Sequence, residues 1–340
     1  MDKKELFKKY WFIGVVAIAL LVFVGIYAVD TYKNREVVVN NKVTDGNYIA
    51  YELDSEPVYA DELYDSLYES RGLSQFVIAY QRAVLDAGYE TTEEMQGIAA
   101  TSASSILSRY SEDYVVESLR SMGYTGGVNE LAQYYIDAQK QELLIKDLVS
   151  SDPDTYLKPT IGTNGRLIYH ILVRTETQPI LDEDENIIGY EALATDEQKE
   201  KLAQIQDALN TALNDDDDAT TFESVAYANS DDSSKQYGGY IGAVNEENAS
   251  SFDQFFAKTA LELKDGEISE PIVSQFGYHI IWNKGSDTDT LLDDYYFLSD
   301  LQNYDPTLVV KSLVKKGEEL GFEIVDEDLK AKLAAQTEGN

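Results

Sequence analysis

The chain has 340 residues, and 62 acidic against 27 basic side chains leave a formal net charge of −35. Such a charge opposes association with a phosphate backbone and argues against any nucleic-acid partner. No cysteine is present, which excludes disulfides, cysteine-ligated metal and anchoring through a lipidated N-terminal cysteine.

Residues 11–29 form a run of nineteen without a charge, long enough as a helix to span roughly 28 Å of hydrocarbon. Lys3, Lys4, Lys8 and Lys9 precede it, which predicts a single-pass anchor with a cytoplasmic tail at 1–10 and the bulk of the chain outside. A cleaved signal peptide is the alternative, and Gly25-Ile26-Tyr27-Ala28 is a poor cleavage site for one. Residues 31–41 read as a polar spacer, after which Leu63 and Leu67 open a helical pattern. Further helices are expected over 75–87, 92–110, 112–121 and 129–150, with Gly88 and Gly123 as stops. Their apolar pairs, Val115 with Leu119 and Leu131 with Tyr135, read as core. Pro153, Pro159 and Gly162-Thr163-Asn164-Gly165 then punctuate the chain, which places the first domain boundary near 158.

The only two histidines share one local frame, Tyr169-His170-Ile171-Leu172-Val173 and Tyr278-His279-Ile280-Ile281-Trp282. Each frame reads as a short strand, and side-chain alternation puts His170 with Leu172, and His279 with Ile281, on one face. A long polar connection is expected around 182–186. Its Asp182-x-Asp184-x-Asn186 spacing suggests calcium, but Ile187 and Leu193 stand where an EF-hand loop needs glycine and glutamate. A helix over 196–213 follows, with Thr195 and Gln198 spaced as a capping box. A shorter one starts near Thr220, with Glu223 three residues on, and the acidic run 214–218 between them reads as a solvated turn. After residue 286 two helices are expected, over 291–301 and 307–317. This tail is too short to fold alone, so it is expected to complete the helical domain begun before Pro153.

Taken singly, each histidine is an ordinary core residue, Phe252 and Phe256 are core, Asp232 is a turn or helix-end residue, and Gly238-Gly239 is a turn. The order of parts across 166–284 is more specific: a His frame, Ser230-Asp231-Asp232-Ser233-Ser234, Gly238-Gly239-Tyr240-Ile241-Gly242, Phe252 to Phe256, Gly266-Glu267-Ile268-Ser269-Glu270-Pro271, and a second His frame. That order resembles the parvulin-type peptidyl-prolyl isomerases. The resemblance implies an α+β fold: a small antiparallel-sheet domain with surrounding helices at 159–286, inserted in a mostly helical chaperone domain formed by 30–158 and 287–340, behind the N-terminal transmembrane helix. It further implies catalysis at His170, Asp232 and His279 without metal or cofactor. The proline pocket falls on Phe252 and Phe256, with Ile241 and Ser274 at its rim; phenylalanine at 252 departs from the family's methionine or leucine.

Phosphate-directed members place basic residues after the first strand. Here Asp182 to Glu185 stand there with only Arg174 nearby, so phosphorylated substrates are disfavoured. The whole arrangement resembles the PrsA-type extracellular foldases of Gram-positive bacteria, with the SurA chaperones more distant. This implies unfolded, proline-containing secreted polypeptides as partners, at a Gram-positive-type cell membrane. A non-catalytic holdase or scaffold is the alternative reading, and a homodimer is left open.

Overall fold

A computed structural model of the chain describes residues 42–44, 47–53, 56–214 and 221–338. The expected membrane anchor, the spacer and the acidic run at 215–218 lie outside the described residues. Among the described residues no helix is long and apolar enough to cross a membrane.

The chain folds as two compact units, one holding the residues up to Leu148 and again from Thr307 onward, the other Val149–Pro306. The first unit opens with three antiparallel strands, β1 (Lys42–Thr44), β2 (Asn47–Leu53) and β3 (Glu56–Tyr59). Four helices follow: α1 (Ala60–Gly88), α2 (Glu93–Leu107), α3 (Glu112–Ser121) and α4 (Leu131–Ser151). The pattern opening at Leu63 and the helix expected over 75–87 are one element, continuous through Gly72 although an interior glycine costs about 1 kcal/mol. Thr92 and Ser111 cap α2 and α3, accepting from Met95 N at 3.1 Å and Tyr114 N at 3.4 Å. Val115, Leu119, Leu131 and Tyr135, all buried, form one core with Ala99 and Ile106.

The second unit is built on an antiparallel sheet of order β7-β4-β9-β8, with a separate hairpin β5-β6. After two single-turn helices at Pro153–Tyr156 and Lys158–Ile161, its main elements are β4 (Arg166–Arg174), β5 (Thr177–Leu181), β6 (Ile187–Ala192), α5 (Asp196–Asn214), α6 (Phe222–Asn229), β7 (Tyr240–Val244), α7 (Gln254–Glu262), β8 (Ile272–Ser274), β9 (Gly277–Gly285), α8 (Thr288–Asp293) and α9 (Tyr295–Tyr304). Strand β4 is buried from Leu167 to Val173, as a strand covered on both faces must be. Ile168 and Ile281 join Val244, Phe256, Ala260 and Leu263 in one core, while Tyr169 packs against Trp282 and Tyr240.

Several expectations are corrected. The long polar connection at 182–186 is the turn of the β5-β6 hairpin, where Asp182 Oδ1 accepts from Asp184 N at 2.9 Å and Asn186 N at 2.8 Å. The short helix is capped by Thr221 with Ser224; Glu223 meets Lys284 Nζ at 3.4 Å, and the expected start at Thr220 lies outside the described residues. The expected helix over 291–301 is broken in two at Asp294, which has an extended backbone and whose carboxylate caps α9, accepting from Phe297 N at 3.0 Å. Asp294 and Asp300 also fasten α8 and α9 to this unit: Tyr169 OH and Lys284 Nζ donate to Asp294, and Tyr240 OH donates to Asp300 Oδ2 at 2.6 Å. The chain therefore passes from one unit to the other at 148/149 and 306/307, against boundaries expected at 158/159 and 286/287.

The chain then returns to the first unit with α10 (Leu308–Glu319) and α11 (Glu327–Glu338). Leu313 and Leu333 share a core with Val84, Leu85 and Leu144.

Candidate active site

Antiparallel pairing of β4 with β9 sets Leu172 opposite His279 and His170 opposite Ile281. The two imidazoles thus lie diagonally on one face, within reach of each other. Their Nδ1 atoms are 3.1 Å apart, and both rings are buried.

Each ring has a second partner. His170 Nε2 lies 3.2 Å from Ser234 Oγ and 3.6 Å from Asp232 Oδ2. His279 Nε2 lies 2.7 Å from Ser274 Oγ, which already accepts from Phe276 N at 3.0 Å. Ser274 Oγ accepts from Phe276 N and has its hydroxyl proton left to donate to His279 Nε2. His279 Nδ1–H then donates to His170 Nδ1, and His170 Nε2–H faces the Asp232 carboxylate. Only this tautomer order turns a proton rather than a lone pair toward Asp232.

Local backbone positions Asp232 and Ser234. The segment after α6 runs along β4: Leu172 N donates to Ser230 Oγ at 3.0 Å, and Asp231 N to the Leu172 carbonyl at 2.8 Å. Asp232 then caps a 3-10 turn over Ser233–Tyr237, accepting from Ser234 N at 2.7 Å. The turn closes through Gly239, whose carbonyl accepts from His170 N at 2.8 Å. A Cβ at Gly239 would stand 2.3 Å from the His170 carbonyl oxygen, and its φ of +89° disfavours any side chain.

The electrostatics follow from this geometry. The hydrogen bond from His170 holds the Asp232 carboxyl well below the usual carboxylate range, and that from Ser234 N adds to it. Burial, with the neighbouring His170, lowers His279 to about 3, so it is a neutral ring at pH 7. On the opposite sheet face, burial works against the Lys284 charge, yet Asp294 and Glu223 raise its pKa. Burial and Asp294 raise Tyr169 well above its ordinary value. This network braces strand β4 from behind.

Above the histidines, the Phe256 ring presents near-perpendicular contacts at 5.5 Å to His170 and 5.3 Å to His279. Phe252 stacks on Phe256 at 5.7 Å, and half-buried Ile241 packs on the same cluster. The Phe pair does not share a helix face as its spacing suggests. Asp253 caps α7, accepting from Phe255 N at 2.9 Å, so Phe252 stands before the helix on extended backbone. Ser274, expected at the pocket rim, is fully buried and bonded to His279. Ser234 was not singled out by sequence; the signal was its position two residues after a capping aspartate. Among the described residues no group of three or more His, Asp or Glu is arranged to hold a metal ion.

All seven singled-out residues fall in one matched segment. Residues 170–284 match the rotamase family, the PPIC-type PPIase domain. The chain is also similar to curated foldases. It is 28% identical over 195 residues to the foldase protein PrsA of Clostridium acetobutylicum, covering 53% of this chain and 49% of that one. It is 31% identical over 176 residues to the foldase protein PrsA of Clostridium botulinum (strain 657 / Type Ba4), covering 48% and 43%. Against the foldase protein PrsA of Bacillus subtilis (strain 168) the identity is 33% over 112 residues, covering 32% and 38%. The chain thus spans about half the length of the first curated relatives it matches. Among solved structures, that of PrsA from Bacillus subtilis aligns over 83% of this chain and 96% of its own, at 22% identity and a TM-score of 0.40. The resemblance to PrsA-type foldases rests on the sequence matches.

Proposed function

We propose that the chain is an extracytoplasmic foldase whose rotamase segment catalyses cis/trans isomerisation of X-Pro bonds in unfolded secreted proteins. The observation that carries this reading is the hydrogen-bonded row Ser274, His279 and His170 beneath Phe256, with the Asp232 carboxylate 3.6 Å from His170 Nε2, inside the segment that matches the PPIC-type domain.

The reaction breaks no bond. Amide resonance imposes a barrier of about 20 kcal/mol, and a catalyst need only bind the twisted amide better than the planar one. Phe252, Phe256 and Ile241 supply apolar contact for the proline ring. The planar amide carries more negative charge on its carbonyl oxygen than the twisted one. The Asp232 carboxylate, acting through the paired imidazoles, therefore disfavours the planar form more. His170 and His279 are positioned by hydrogen bonds for this electrostatic role, and no nucleophile is required.

In the same proposal the first unit is the chaperone part that cradles the unfolded client, and residues 11–29 hold the chain in the membrane with its bulk outside. A second reading, a non-catalytic holdase, is favoured by one feature: Phe252 stacks on Phe256, whose exposure is only 4%. Refolding of a test protein limited by X-Pro isomerisation separates the two. A foldase shortens the slow refolding phase at substoichiometric concentration. A holdase suppresses aggregation and leaves that phase unchanged.

A further inference from the structure

The β5-β6 hairpin stands apart from the four-stranded sheet, yet it is fastened to the walls of the histidine site both at its base, through Thr177, and beside its turn, through Ile187. Gln254 Nε2 donates to the Ile187 carbonyl at 3.2 Å, Thr177 Oγ1 donates to the Gln275 carbonyl at 2.9 Å, and the Tyr190 ring meets Phe255 edge-on at 5.8 Å. Phe255 adjoins Phe256, and Gln275 adjoins Ser274. The surface it presents is apolar. Ile180 is 46% exposed, Leu181 50%, Ile187 39% and Ile188 57%, with Phe276 at 45% beside Ser274. Ile180 pairs with Gly189 and lies over it, its Cδ1 3.7 Å from where a Cβ would stand.

Exposed short strands usually carry charge or polar groups that discourage pairing, and clustered apolar side chains on them mark a contact surface. The tip of this hairpin is acidic. Asp182 is engaged by the turn, while Glu183, Asp184 and Glu185 are exposed. Charge complementarity selects the occupant.

We propose that the hairpin is a docking arm for an extended segment of unfolded polypeptide that carries aliphatic residues followed by lysine or arginine, about five residues from the isomerised proline. At roughly 3.3 Å per residue, a five-residue strand offers about 17 Å of track. A client proline at Phe256 continues past Phe276 and along the hairpin over Ile180 to Leu181 and Ile187, where its basic side chain meets the tip. The proposal rests on the isomerase reading for the place of the proline. Acidic or phosphorylated segments are repelled.

The test is binding of fluorescein-labelled twelve-residue peptides to the full-length chain, read by anisotropy at low salt. The peptides share one Ala-Pro bond and two leucines and differ in two positions that are Lys, Gln or Glu. The Lys peptide is expected to bind at least about five-fold tighter than the Glu peptide, a difference that shrinks in 0.5 M salt. The E183K/D184K double variant reverses the order, and Ile180→Ser with Ile188→Ser weakens all three peptides several-fold. Equal binding of the three peptides to the wild-type chain overturns the proposal, whatever the variants do. Prolyl exchange in an Ala-Ala-Pro-Phe tetrapeptide, too short to reach the hairpin, reports on the isomerase reading separately. Exchange without charge-ordered binding removes the docking arm alone, and charge-ordered binding without exchange removes the isomerase alone.

Discussion

Replacing Asp232 with asparagine or alanine separates two roles of one carboxylate. Asp232 accepts from Ser234 N at 2.7 Å as a turn cap and faces His170 Nε2 at 3.6 Å as a charge. Asparagine caps as well as aspartate, so Asp232→Asn removes only the charge. A hydrogen bond to a charged group is worth about 1.5–3 kcal/mol. At 3.6 Å, and shared with Ser234, roughly 1–2 kcal/mol remains, equivalent to a five- to thirty-fold fall in kcat/KM for prolyl exchange. Asp232→Ala also loses the cap, adding about 1 kcal/mol of destabilisation. The pH dependence checks the assignment. A carboxyl held below its ordinary range stabilises the fold above about pH 4, where the unfolded group would be ionised, and that contribution disappears as pH falls through the folded value. Wild type and Asp232→Asn therefore differ in urea midpoint at pH 7 and converge toward pH 2. Unchanged kcat/KM in a folded Asp232→Asn chain would refute the electrostatic role of this carboxylate.

Further expectations follow from the same geometry. His279, lowered to about 3 by burial, is neutral in the folded chain while an unfolded histidine takes up its proton near pH 6.5. Stability should therefore fall by about 1.4 kcal/mol per pH unit from this group as pH drops from about 6 toward 3, and His279→Asn should flatten that slope in urea titrations. Phe252→Leu trims the ring stacked on Phe256 and should raise KM for proline peptides about two- to five-fold by loss of apolar contact, at a stability cost of about 1–2 kcal/mol; an unchanged KM would show that Phe252 does not contact the ligand. Asp294→Asn leaves Lys284 without its 2.7 Å charged partner and should cost about 2–4 kcal/mol in chemical unfolding. An unchanged midpoint would show that the Asp294 charge adds nothing to the hold on α8 and α9 beyond apolar packing and the Asp300–Tyr240 bond.

The histidine pair was legible because strand alternation is a strong local rule, and both frames carry their histidine in the same register with the apolar face. Their hydrogen-bond partners were only partly legible. Asp232 came through the family resemblance, whereas Ser234 reaches His170 through a 3-10 turn that no periodicity announces. The hairpin was missed because its strands are short and its turn is four consecutive acids, which read as solvated loop. The break at Asp294 was missed for a different reason. The apolar pattern runs through it, and the tertiary pull of Lys284 and Tyr169 on its carboxylate decides the local backbone. The cap of α7 shows the same limit: Phe252 and Phe256 are four apart, the spacing of one helix face, yet the Asp253 cap leaves Phe252 outside the helix.

Prolyl cis/trans exchange in unphosphorylated X-Pro peptides, followed by NMR with catalytic amounts of the full-length chain and of His170→Ala, bears most directly on the isomerase claim. Exchange accelerated well above the spontaneous rate, whose time constant is roughly tens to hundreds of seconds, and falling at least about ten-fold in the variant, is the expected result. A folded wild-type chain that leaves the spontaneous rate unchanged would contradict it.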